Sequence, residues 1–227
     1  MSRRPFVQST LARDTRQSLR DLSSQPGLLA RWAGASAVIA LAMLAAIGLV
    51  GAHAAAKEPF VPVFADTRAG FSDVLWLVAN NAMVVLLHCL VCLACYLVKR
   101  SLPGRPPTSG RVAVMVWKAE VKLALPIVGA LAAGSVFWQI LIVGQGLSDA
   151  AAGVGLTSWQ LLARLSIHGI VEMTAMFLPL AACLYLTRRQ RFEQLLAAAI
   201  ITGLVALDLL IVAACWEVWG APQLLSF

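Results

Sequence analysis

Long uncharged apolar stretches alternate along the chain with short polar or basic connections. A hydrocarbon core about 30 Å thick is crossed by about 20 helical residues rising 1.5 Å each, and segments 33–56, 74–98, 123–147, 159–187 and 194–219 reach that length. Lipid offers no partner to a free N–H or C=O, so each segment must close its own hydrogen bonds as a helix. The pattern predicts an all-α integral membrane bundle of five transmembrane helices. It occupies 28–227, follows a basic tail at 1–27 and contains a basic connection at 99–122.

The direction of the spans follows from Lys and Arg. The tail holds Arg3, Arg4, Arg13, Arg16, Arg20 and Arg31; the connection after the second span holds Lys99, Arg100, Arg105, Arg111, Lys118 and Lys122; the one after the fourth holds Arg188, Arg189 and Arg191. Lys57 and Arg68 alone lie between the first two spans, and 148–157 and 220–227 carry no basic residue. Cytoplasmic loops are the basic ones. An N-terminus inside, a C-terminus outside and five spans satisfy every loop, in the inner (cytoplasmic) membrane of a cell.

Composition agrees: 60% of the 227 residues are hydrophobic and 13% charged, whereas a soluble domain has about half and a quarter. The net charge of +7 is divided among the connections and forms no single soluble face, which argues against nucleic acid. Cys89, Cys92, Cys95, Cys183 and Cys215 lie inside apolar segments and read as small packing residues, with the Cys89-x-x-Cys92-x-x-Cys95 thiols on diverging faces of a helix. No metal or cofactor is expected. The sequence contains no nucleotide-binding P-loop, no nucleophile elbow and no zinc-protease motif.

Ser2-Arg3-Arg4-Pro5-Phe6-Val7 is similar to a twin-arginine export signal, and Ala52-His53-Ala54 to a cleavage site. About twenty polar residues separate the arginines from an apolar run longer than such a signal has, so an uncleaved first span is expected. Arg13, Arg16 and Arg20 recur at helical spacing with Leu11, Leu19 and Leu22. That segment is either a disordered tail or a helix lying on anionic lipid. After the Pro/Gly-rich turn at 102–107, residues 111–122 again read as helical. Arg13, Arg16, Arg20, Arg105, Arg111, Lys118 and Lys122 are the expected lipid- or partner-binding residues.

Polar groups inside a span cost about 2.5 to 3.5 kcal/mol each and normally face the bundle interior. Gln160, Arg164, His168 and Glu172 follow one another at i+4 steps on the fourth span. Counting inward at 1.5 Å per residue, Asn80 and Asn81 lie about 10 to 15 Å deep, His168 and Asp208 roughly 15 Å, and Glu172 about one turn deeper. A buried polar network of Asn80, Asn81, Arg164, His168, Gly169, Glu172 and Asp208 is therefore expected. His88 is placed too deep to join it, and Glu217 near the surface. Pro126 and Pro179 interrupt the hydrogen bonding of the third and fourth spans, while Gly129, Ala133 and Gly134, and Gly48 with Ala52, would permit close helix approach. The network is either interhelical glue or a site at which Glu172 or Asp208, kept from water, exchanges a proton with His168 or a substrate.

Leu77-Val78-Ala79-Asn80-Asn81-Ala82 and Ile167-His168-Gly169-Ile170-Val171-Glu172-Met173 together resemble the stage II sporulation protein M family of polytopic membrane proteins, with its Asn pair and His-Gly-x-x-Glu stretch in that order. The family has glycines after each motif, where this chain has Leu87-His88-Cys89-Leu90 and Met176-Phe177-Leu178-Pro179. The resemblance implies a non-catalytic membrane component that assembles with partners, with Asn80, Asn81, His168, Gly169 and Glu172 as signature positions and Gly169 admitting a neighbouring helix beside His168.

The expected function is accordingly a scaffold or partner-recruiting subunit of a membrane complex, acting on other membrane or cytoplasmic proteins in the lipid bilayer, and open to oligomerisation. Two alternatives stand beside it. One is a permease subunit of an exporter driven by a separate ATPase, whose elbow and coupling helices the tail and 111–122 resemble. The other is a membrane-embedded proton-transfer enzyme with His168, Glu172 and Asp208 as catalytic candidates, acting on a hydrophobic peptide.

Overall fold

A computed structural model describes residues 6–60, 70–101 and 111–220, with side chains described for 15–60, 70–100 and 126–220. Arg105 lies outside the described residues, as do the side chains of Arg13, Arg111, Lys118 and Lys122. The described chain is helical, without a strand: α1 (Phe6–Ser23), α2 (Pro26–His53), α3 (Phe71–Ser101), α4 (Arg111–Gly153), α5 (Ser158–Arg188), a 3-10 turn (Phe192–Gln194), α6 (Leu195–Cys215) and a closing π turn (Trp216–Gly220). Five stretches are long and apolar enough to cross a membrane: Pro26–His53, Phe71–Arg100, Pro126–Gly153, Ser158–Arg188 and Phe192–Gly220.

Helix α5 lies at the centre, packed against α2, α3 and α6, and α3 packs in turn on α6. α2 begins with Pro26 in its first turn, where the missing N–H costs nothing. It buries Trp32, Ser36, Ala40, Met43, Ile47 and Gly51, one side of a helix at three- and four-residue steps. α5 begins at a capping box. Thr157 Oγ1 accepts from the Gln160 N–H at 3.2 Å, and Gln160 Oε1 accepts from the Thr157 N–H at 2.9 Å.

Glycine sets how closely α2 meets its neighbours. A Cβ at Gly48 would run into the Trp159 ring and Leu162, and one at Gly144 into Val50. Nothing lies within 4 Å of a Cβ placed at Gly129 or Gly134, and Ala52 is exposed. The close approach expected at Gly129, Ala133 and Gly134 thus falls about three to four turns before Gly144, the glycine that α4 uses, and Ala52 gives way to Gly51 on α2.

The tail forms a regular helix. α1 docks on α6 and the 3-10 turn: Leu22 is buried with Trp32, Leu186, Phe192 and Leu195, while Arg16 and Arg20 stay exposed. Three cation–ring contacts lie at the same end of the bundle, here called the basic end: Lys99 Nζ 5.4 Å from the Phe192 ring, Arg100 5.9 Å from Tyr96, and Arg189 4.6 Å from Tyr185. Residues 111–122 are no separate surface helix but the first turns of α4, which runs without a break through Pro126 to Gly153.

At the opposite end, residues 54–60 are strapped to α4, and the last turn of α2 is tied to α5. Asp149 Oδ1 accepts from the Lys57 N–H at 2.6 Å, the Glu58 N–H at 3.3 Å and Gln145 Nε2 at 3.2 Å. Ser148 donates to the Ala54 carbonyl at 2.9 Å, and Ser158 to the Gly51 carbonyl at 2.8 Å. Gly153 is packed so closely on the Phe60 backbone that a side chain would collide with it.

Candidate functional site: a polar junction of α3, α5 and α6

The two asparagines of α3 diverge by the 100° that separates adjacent helical residues. Asn81 turns toward the bundle and its Nδ2 donates to Glu172 Oε1 on α5. Asn80 is exposed and belongs to no buried network. Above and below the Asn81–Glu172 bond the three helices close with apolar contacts. Val85, Ala175, Met176, Ala206 and Leu210 form one cluster, and Val74, Ala214 and Val218 another.

His168 is buried one turn before Glu172. Arg164, a further turn back, is exposed and makes an interaction of its own. Gln160 is taken up in the capping box, so the four-residue ridge divides into a cap, an exposed cation and two inward groups. Gly169 is not a contact glycine, since nothing lies within 4 Å of a Cβ placed there. The close helix approach beside His168 is therefore absent at that residue.

Asp208 departs furthest from expectation. α6 buries Ala199, Thr202, Ala206, Leu210 and Ala213. Asp208 stands two residues, about 200°, from Ala206, and is exposed on the far side of the helix. It cannot meet His168 or Glu172. The second carboxyl near Glu172 is instead Glu217, half-buried on the π turn and within Coulombic reach of Glu172. A π turn widens the helix by one residue and resets the side-chain directions that follow. A depth count at constant rise does not anticipate it.

Two further polar links join α5 to its neighbours. His88 on α3 is buried, its Nδ1 2.8 Å from the Met176 carbonyl and its ring 5.0 Å from that of Phe177. Ser36 on α2 donates to the Thr174 carbonyl at 2.6 Å. His88 Nε2 has no partner among the described residues, and the residue borders an apolar groove of about 200 Å³ between α3 and α4, with Val128, Leu131 and Ser135 on the opposite wall. Cys92 and Cys95 do not diverge. Both are buried in one cluster with Cys183, and Cys92 donates to the Pro179 carbonyl at 3.3 Å. Among the described residues no three His, Cys, Asp or Glu side chains are grouped to hold a metal ion.

Chemically, the junction is an amide and a carboxylic group joining two helices, with a second carboxyl from a third helix close by and an imidazole one turn away. Such an assembly fixes helix register, and interhelical hydrogen bonds of this kind contribute about 0.6 to 2 kcal/mol each. No family model matches the chain, and neither a curated protein nor a solved structure matches it.

Proposed function

We propose that the chain is a non-catalytic component of the inner (cytoplasmic) membrane, acting as a scaffold or partner-recruiting subunit of a membrane complex in the manner of the stage II sporulation protein M family it resembles. One observation carries the reading. The two segments on which the resemblance rests meet in space, through the Asn81 amide and the Glu172 carboxyl, in a bond that ties α3 to α5. The inward polar groups Ser36 and His88 likewise contact backbone carbonyls of α5, which is how polar residues serve packing.

In this reading the basic end faces the cytoplasm, with the N-terminus inside and the C-terminus outside. Arg16, Arg20, Lys99, Arg100, Arg188, Arg189 and Arg191 support it by the positive-inside rule.

His168→Ala and Glu172→Gln are expected to lower folded yield and complex formation together. Full yield and normal assembly of these variants, with the activity of the complex abolished, would overturn the scaffold reading in favour of proton-transfer chemistry at His168 and Glu172.

A second reading, a permease subunit of an ATP-driven exporter, is favoured by α1, a helix of its own ahead of the first span that corresponds to an elbow helix. A reporter fused after Phe227 separates the two: it lies outside for the five-span scaffold and in the cytoplasm for the permease.

A further inference from the structure

Asp208 is 16 residues from Phe192 and 12 from Gly220, the ends of the last apolar stretch, so it lies about 18 Å or more from either end of the span. It is exposed on the side of α6 opposite the buried face, and the described side chains around it are Leu204, 62% exposed, Val212, 64% exposed, Ile211 and Leu207. No described side chain of the protein bonds to it. A carboxylate in that position would be immersed in lipid tails, which ionisable residues avoid by facing protein or a water-filled cavity. A partner able to cover it needs a long apolar helix to match Leu204, Ile211 and Val212, and a positive charge at the depth of Asp208 to answer the carboxylate.

The geometry points to the outward face of α6 as a docking surface for a transmembrane helix of another protein that carries a basic side chain at mid-membrane, paired with Asp208. Asn80 does not supply the partner, because it lies on α3, whereas Asp208 points away from the side of α6 on which α3 packs. Association of two copies through this face about a two-fold axis would set Asp208 against Asp208, like charge against like charge, which disfavours a second copy as occupant. The inference rests on the partner-recruiting reading and gives it a surface and a chemistry.

The probe is a leucine-rich transmembrane peptide of about 23 residues with one central Lys, compared with the same peptide carrying Leu there. Energy transfer between the full-length chain, donor-labelled on a terminal tag, and each acceptor-labelled peptide is measured in phosphatidylcholine vesicles. The Lys peptide should associate about tenfold more tightly than the Leu peptide. Asp208→Leu should abolish the difference and Asp208→Asn should remove most of it. Because Asp208 faces outward, both variants should keep the helicity and elution volume of the parent chain.

Equal association of the two peptides, or a preference that survives Asp208→Leu, would overturn the inference. Energy transfer between two copies of the chain that is lost in Asp208→Leu would overturn it too, by giving the face to self-association. In native membranes, an Asp208→Leu chain that still assembles its complex would sink this surface while leaving the scaffold reading intact. A parent chain that assembles with nothing would sink the scaffold reading itself.

Discussion

Asn81 and Glu172 are 91 positions apart in the sequence and joined by a hydrogen bond from amide to carboxyl across α3 and α5, while Asn80, the adjacent residue, points out of the bundle. The pair makes the difference between neighbouring asparagines measurable. Asn81→Leu should cost about 1 kcal/mol of stability or somewhat more, and Asn80→Leu no more than about 0.5 kcal/mol. A double-mutant cycle of Asn81→Ala with Glu172→Gln, followed by unfolding in mixed micelles, should return a coupling of about 0.6 to 1.7 kcal/mol. Equal effects at the two asparagines would break the assignment.

Close packing between α2 and its neighbours depends on Gly48, which the sequence singles out, and on Gly51 and Gly144, which it does not. Gly48→Ala drives a methyl group into Trp159 and Leu162 and should destabilise by about 1 to 3 kcal/mol. Gly134→Ala, with open space around it, should be neutral or stabilising by up to about 1 kcal/mol. Thermal unfolding of the two purified variants checks the order.

Leu22 is 1% exposed and holds α1 against Phe192 and Leu195. Leu22→Ala removes most of a buried side chain at a site with room to open, a change of about 2 to 5 kcal/mol in closed cores. The expected outcome is release of α1, read as faster tryptic cleavage after Arg16 and Arg20 with the spanning helices intact. Unchanged cleavage would mean that α1 is held by something other than this contact.

Asp149 gathers two backbone N–H groups of the connection after α2 and one side-chain amide of its own helix. Asp149→Ala should speed hydrogen exchange at the Lys57 and Glu58 amides and leave α5 untouched, as followed by exchange mass spectrometry in nanodiscs. Asp149→Asn, which keeps an acceptor oxygen, should fall between.

The spans were legible because length and hydropathy alone decide them: the five predicted segments overlap the five apolar helices, with ends differing by one to seven residues, most at the start of α2 and the end of α4, where Arg31 and Asp149 lie inside the observed helix. Half of the polar junction was legible as well, since Asn81, His168 and Glu172 are costly in lipid unless turned inward. The rotation of α6 was not. Leu, Ile, Val and Ala surround that helix, so no polar side marks which face meets lipid. The usable signal is side-chain size. Ala199, Ala206 and Ala213 recur every seven residues on the buried face, while Leu204, Ile211 and Val212 point out, the reverse of a soluble core and the expected order where helices must approach through small residues. That Glu217, near the end of the span, also turns toward Glu172 was not legible for a different reason, the π turn at Trp216–Gly220.

Helix α4 extends over 43 residues without interruption, about 65 Å against a hydrocarbon layer of about 30 Å, and it is the least enclosed of the spanning helices. It behaves as a stiff lever. Pro126, at the start of its apolar portion, lacks one rung of the hydrogen-bond ladder and is the natural fulcrum. Because Asp149 and Gly153 fasten the far tip to residues 57–60, a tilt imposed on the basic arm of α4 moves that strap as well. The same tip packs through Leu147, Ala150 and Ala151 on Met43 and Ile47 of α2 and Leu161 and Phe177 of α5, so a push on one side of the bilayer is felt on the other by the strap and by these two helices.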